Sequence, residues 1–163
     1  MISDSDNFLS CAISLRATTT YLNDDLNVRV KSIQNTSDVD SNTQALVFGH
    51  SMSMVILRAL ATEYVLKSMA LNIHGRLLKT HDLFELYNEL GKDPINFIED
   101  HAKKQGIREV SEILKEYRTD FTDWRYNQQG VQTNILDISR ALDVLISAAQ
   151  NKIFKKQFCT IKS

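Results

Sequence analysis

Glu63 and Lys67 stand four residues apart in an otherwise apolar stretch, and Arg58 interrupts the same stretch five positions earlier. Carboxylate before amine at that spacing is the favourable order for an ion pair on one helical face. On a surface such a pair is worth roughly a few tenths of a kcal/mol. A helix apolar over most of its circumference has little solvent face, however, so its charges either pair inside or line a groove. A second concentration of chemistry is YRTDFTDWRYNQQ over 117–129, where Arg118 and Arg125 lie among Tyr117, Trp124 and Tyr126. Guanidinium groups and aromatic rings together stack a base and hold a phosphate. The competing reading makes Tyr117 and Trp124 core anchors and pairs the arginines with Asp120 and Asp123.

The four histidines, His50, His74, His81 and His101, show neither HxxxH nor HxH spacing, so no metal site is expected. There is no GxSxG turn and no Gly-rich phosphate loop, which removes the usual support for hydrolase and nucleoside-triphosphatase readings. Cys11 and Cys159 lie at opposite ends without a CxxC, and are read as free thiols in a reducing compartment. No cofactor is implied.

These residues need elements to position them, and the apolar periods supply helices. Phe8, Ala12, Leu15, Leu22 and Leu26 follow the 3.6-residue period, predicting a first helix over about 5–34 with Ser3 or Ser5 as its cap. The polar run NTSDVDSN over 35–42 is a loop of the length that joins antiparallel neighbours. Residues 43–74, apolar on more than one face, predict the central helix of a bundle, ended by Gly75. A short helix follows from about Asp82 to Leu90, with Asp82 as cap and Glu85 as its partner three residues on. Asp93 and Pro94 restart the chain for a helix to about Gln105, closed by Gly106. A longer helix carries Ile107, Val110, Leu114, Tyr117, Phe121 and Trp124 as its seam. After Gly130, Thr133 or Asn134 caps a last helix that buries Ile135, Ile138, Leu142, Leu145, Ala149 and Ile153.

Composition agrees. The chain has 163 residues, which favours a single domain over 1–163 with a sizeable core. With 5 Gly and 1 Pro it falls far below the roughly 12% that these residues together average, and turn-rich sheets need them. The fold class expected is all-α, an antiparallel bundle of five or six helices without a sheet. A formal net charge of -1 provides no long-range field, so a nucleic-acid partner must be held by a local basic patch. The opening MISDSDNF has two aspartates and no basic residue, and no stretch reaches 18 uninterrupted apolar residues. A cytoplasmic protein with no membrane partner is expected.

Three motifs in order resemble the HEPN domain family. RALATEYVLKSMALNIHG looks like the family's second helix, an alanine-rich stretch with Glu and Lys four apart before a glycine. KTHDLFELYNEL is similar to its His-Asp-Leu approach to the next helix, and FTDWRY to its late Arg-Tyr pair. Together they span about 57–127. The resemblance implies a helical bundle, often dimeric, that binds nucleotides or RNA. Several members are metal-independent RNA-cleaving toxins paired with a nucleotidyltransferase antitoxin, or act in phage defence. Arg125 matches the arginine of the family's Arg-polar-xxx-His motif, and Asn127 lies near its polar position. The motif's histidine is missing, because Arg125 is trailed by Tyr126, Asn127, Gln128, Gln129 and Gly130.

The expected function is therefore binding of a nucleotide or RNA through Glu63, Lys67, His81, Asp82, Arg125 and Tyr126, by a homodimer in a prokaryotic toxin-antitoxin, phage-defence or regulatory system. One rival is a metal-independent ribonuclease in which His81, or His74, supplies the base that Arg125 lacks. Arg76 and His81 do have RxxxxH spacing, across a predicted helix break. The other rival is a structural adaptor whose charges only fix helix register. Glu63 is expected to meet Arg125 or Tyr126, since two polar interruptions in apolar seams are cheapest to bury together.

Overall fold

The first apolar period closes into α1 (Asp4–Gln34), and the second into α2 (Ser41–His74). Ser68 donates to the Ser5 carbonyl, Phe8 packs edge-on against Tyr64, and His50 lies 3.3 Å from Asp25. Residue numbers rise on one helix as they fall on the other, so the two form an antiparallel pair. The computed structural model describes residues 4–34, 41–118 and 135–159.

Gly75 ends α2 with φ of 67°, a left-handed conformation that glycine adopts without steric cost, and its N–H donates to the Leu71 carbonyl. α3 (Leu83–Asn88) starts where Asp82 accepts from the backbone N–H groups of Phe84 and Glu85, both at 3.0 Å. Glu85 does not reach back to the cap directly. The Thr80 hydroxyl donates to its carboxylate at 2.7 Å and accepts from the Asp82 N–H at 3.2 Å, so the reciprocal cap runs through a third residue. Gly91, with φ of 88°, opens α4 (Lys92–Lys104). Pro94 is the third helical residue rather than the first; its missing N–H is still one of the four that a helix start leaves unpaired.

α5 (Val110–Glu116) begins three residues after Ile107, because Glu99 of α4 accepts from the N–H groups of Val110 and Ser111 at 2.8 Å each. The same carboxylate takes the Tyr87 hydroxyl at 2.8 Å; burial and that neighbouring negative charge push the phenol well above its ordinary pKa. The predicted seam is buried at Val110, Leu114 and Tyr117, with Ile113 added, while Phe121 and Trp124 lie outside the described residues.

The last expected helix is two helices, α6 (Ile135–Gln150) and α7 (Lys152–Phe158). Asn151 adopts an extended conformation and its side chain caps α7 by accepting from Ile153 and Phe154 N–H. The break turns Ile153 out to solvent and puts Phe154 in its place, in edge contact with Phe97 and Phe158. Thr133 and Asn134 lie outside the described residues.

Among the described residues seven helices form an all-α bundle, with no strand. α2 is central over its C-terminal half, where α1, α3 and α6 surround it and Met54 to Ala70 supply its buried residues. Towards its N-terminus Leu46 and Phe48 are exposed. By length and composition α2 could cross a membrane, but Arg58, Glu63 and Lys67 are buried within the bundle.

Candidate functional site

The i,i+4 spacing on α2 brings the Lys67 Nζ to 2.7 Å from the Glu63 Oε1, with both side chains nearly enclosed. The pair is therefore internal, one of the alternatives that the sequence left open beside a groove lining and an ordinary surface pair. The connection after Gly75 then returns to the same carboxylate. His81 Nδ1 lies 3.0 Å from Glu63 Oε1 while 67% of the His81 side chain stays exposed. An ionised carboxylate only accepts, so His81 Nδ1 is the donor in this contact. Lys67, Glu63 and His81 thus form a chain of charge-assisted bonds running from the interior to the surface.

Asp82 follows directly. Besides capping α3, its Oδ2 accepts from Arg118 Nε at 2.8 Å and Nη2 at 2.7 Å. Partial burial works to raise the Asp82 carboxyl, but the Glu85 N–H, Arg118 and the Phe84 N–H outweigh it and hold it below its ordinary value. The Arg118 carbonyl accepts from Leu83 N–H at 3.3 Å, which fixes the end of the α5 segment against the start of α3.

Four of the six sequence-predicted residues, Glu63, Lys67, His81 and Asp82, are therefore neighbours. Arg125 and Tyr126 lie outside the described residues, as does the expected contact of either with Glu63. Arg118 is the addition. It was visible among the aromatic residues of its segment, but its partner is Asp82, 36 positions away, which spacing does not reveal. Arg76 goes elsewhere: its Nη2 pairs with Glu89 at 3.2 Å, and His74 Nε2 contacts the Glu89 carbonyl at 2.7 Å. The RxxxxH pair thus shares no partner, and His74 is engaged away from Glu63.

His101 meets Ser147 at 3.0 Å, so the histidines occupy separate places. Among the described residues no group of His, Cys, Asp and Glu could hold a metal. Along α2, Lys67 follows Tyr64 by three positions and precedes Leu71 by four, which puts the three on one face. Tyr64 and Leu71 line a cleft of about 370 Å³ with Phe8, Asn7, Cys11 and Leu77. The cleft is walled by Phe8 and Tyr64 and also lined by Asp4, and none of Glu63, Lys67, His81, Asp82 and Arg118 lines it. Compared with protein-family models, curated proteins and solved structures, the chain matches none.

Proposed function

We propose that this is a HEPN-like helical domain that binds a nucleotide or RNA at the surface around His81, as a cytoplasmic component of a prokaryotic toxin-antitoxin, phage-defence or regulatory system. The observation that supports it best is the Lys67–Glu63–His81 chain, which holds an exposed imidazole in a set orientation at the edge of an enclosed ion pair. Asp82 and Arg118 extend the polar surface, and the cleft at Tyr64 offers an aromatic wall for a base. Arg125 and Tyr126 join the site on the sequence resemblance. Titration of labelled RNA and of mononucleotides tests the reading: binding weakens with salt, and His81→Ala and Arg125→Ala each reduce it. If no RNA or nucleotide binds, the structural-adaptor reading replaces this one.

The Nδ1 contact with Glu63 favours a second reading, a metal-independent ribonuclease in which His81 Nε2 takes the proton of an RNA 2′-hydroxyl and Arg125 stabilises the phosphate. Its test is incubation with RNA in the presence of a chelator. Cleavage lost in His81→Ala, where losing a general base typically costs about 10²–10⁴ in rate, supports it; intact RNA refutes it.

The domain is further proposed to be a homodimer, with a nucleotidyltransferase as a possible antitoxin partner. Tyr21 and Val28 of α1 and Phe48 of α2 are more than half exposed, an apolar surface that a second copy can cover. A monomer in sedimentation equilibrium at micromolar concentration counts against it.

A further inference from the structure

Arg58 occupies another side of α2, five positions before Glu63 and so about 140° around the helix from it. Its side chain is buried, and among the described residues its Nη1 has no hydrogen-bond partner. Burial lowers its pKa and the nearby Asp143 carboxylate opposes that, but a guanidinium remains protonated in a protein. Buried charged donors are normally satisfied, and an orphan calls for an unseen partner such as an ion or water.

The surroundings favour an anion. Arg58 lines a small cavity of about 50 Å³ together with Arg16, Thr19, Thr20, Ser139 and Asp143. A space of roughly 10–15 Å³ by this measure holds one water, so the cavity has room for more than a water and admits a small tetrahedral oxyanion. Two guanidinium groups face it against one carboxylate, and that carboxylate is already held by Arg16 Nε at 2.7 Å. The Thr19 and Thr20 hydroxyls both donate to the Arg16 carbonyl, at 2.8 and 3.1 Å. Either can turn its hydrogen into the cavity while the other keeps that carbonyl satisfied. The cavity is also next to a larger space: Arg16 and Asp143 line a cleft of about 500 Å³ with Ile13, Ile146, Ser147 and Gln150. This cleft mixes aliphatic side chains with a hydroxyl and an amide, which suits a hydroxylated carbon skeleton.

We propose that the cavity between α1, α2 and α6 is an oxyanion site that takes the phosphoryl group of a small phosphomonoester of the sugar-phosphate class, with Arg58 and Arg16 as its clamp and the organic part in the adjoining cleft. The site shares no residue with the surface around His81, and it does not depend on the reading proposed for that surface.

Thermal denaturation and calorimetric titration of the full chain test this, with inorganic phosphate and ribose 5-phosphate as probes at constant ionic strength in chloride buffer. The expected result is a saturable rise in Tm with either probe that chloride does not produce, and tighter binding of the sugar phosphate. Arg58→Lys, which keeps the charge but loses the fork, weakens both probes by about ten- to hundredfold. Arg16→Gln, at a half-exposed position that the fold tolerates, weakens both as well, and decides the matter if an Arg58 variant does not fold. A Tm response to phosphate no different from that to chloride overturns the site, as does unchanged phosphate binding in Arg16→Gln. Ribose 5-phosphate binding no tighter than inorganic phosphate overturns the assignment of the cleft to the organic part.

Discussion

Lys67 and Glu63 are 2.7 Å apart, and so are Arg16 and Asp143, but the first pair is 5–9% exposed and the second 45–48%. Equal separation does not mean equal worth. In water the exposed pair's attraction is screened and is offset by the entropy of holding two mobile side chains. The enclosed pair was stripped of water when α2 was packed, so each partner depends on the other for its solvation. Arg58 lies between these cases: as enclosed as Lys67, yet with one donor unmatched.

The largest effect is therefore expected from breaking the enclosed pair. Glu63→Ala leaves the Lys67 ammonium buried and His81 without its carboxylate, and should cost about 3–5 kcal/mol in urea denaturation. In a double-mutant cycle with Lys67→Met, the double variant should cost much less than the two single variants together. Additivity would mean that the pair behaves like the exposed one.

Arg58→Met tests the same contrast with the opposite sign. It removes a buried charge that lacks a complete set of partners and fills the space with an apolar chain, so in phosphate-free chloride buffer it should be neutral or stabilising by about 1–2 kcal/mol. A loss as large as that of Glu63→Ala would show that Arg58 is as well compensated as Lys67.

Asp82 sharpens the comparison, since backbone donors and an arginine share its partly enclosed carboxylate. Asp82→Ala, which removes the α3 cap, should cost about 1 kcal/mol. The sign of its pH dependence follows from the lowered pKa. The contribution is complete above about pH 4, where the unfolded carboxyl is also ionised, and is lost as pH falls through the depressed folded value. Asp82→Asn keeps a capping oxygen and should flatten the acid limb of stability against pH. Arg16→Gln should have the smallest effect, about 0.5 kcal/mol or less without phosphate, and the difference from wild type should shrink further in added salt.

The pattern of one-dimensional spacing already contained the helices and one of the polar contacts. The period from Phe8 to Leu26, the glycine after His74 and the cap at Asp82 are local features, each acting within a turn or two of helix. Glu63 and Lys67 belong with them, because four residues of helix bring two side chains together whatever the rest of the chain does. Asn151 shows where local reading ends. Ile153 continued the apolar stripe in step, and only the packing of Phe154 against Phe97 and Phe158 made a break with a new cap the better solution.

The partners that give the polar residues their chemistry came from tertiary structure. His81 finds Glu63 across 18 positions, Arg118 finds Asp82 across 36, and Arg16 finds Asp143 across 127. No period links such residues, since their meeting depends on where each connection sends the chain and which helix faces fill the remaining space. The sequence by itself determined that Arg58 would be a charge on an apolar helix. Only the packing of α1 and α6 around it decided that it would be enclosed, because burial belongs to the neighbours a side chain acquires and not to its own type.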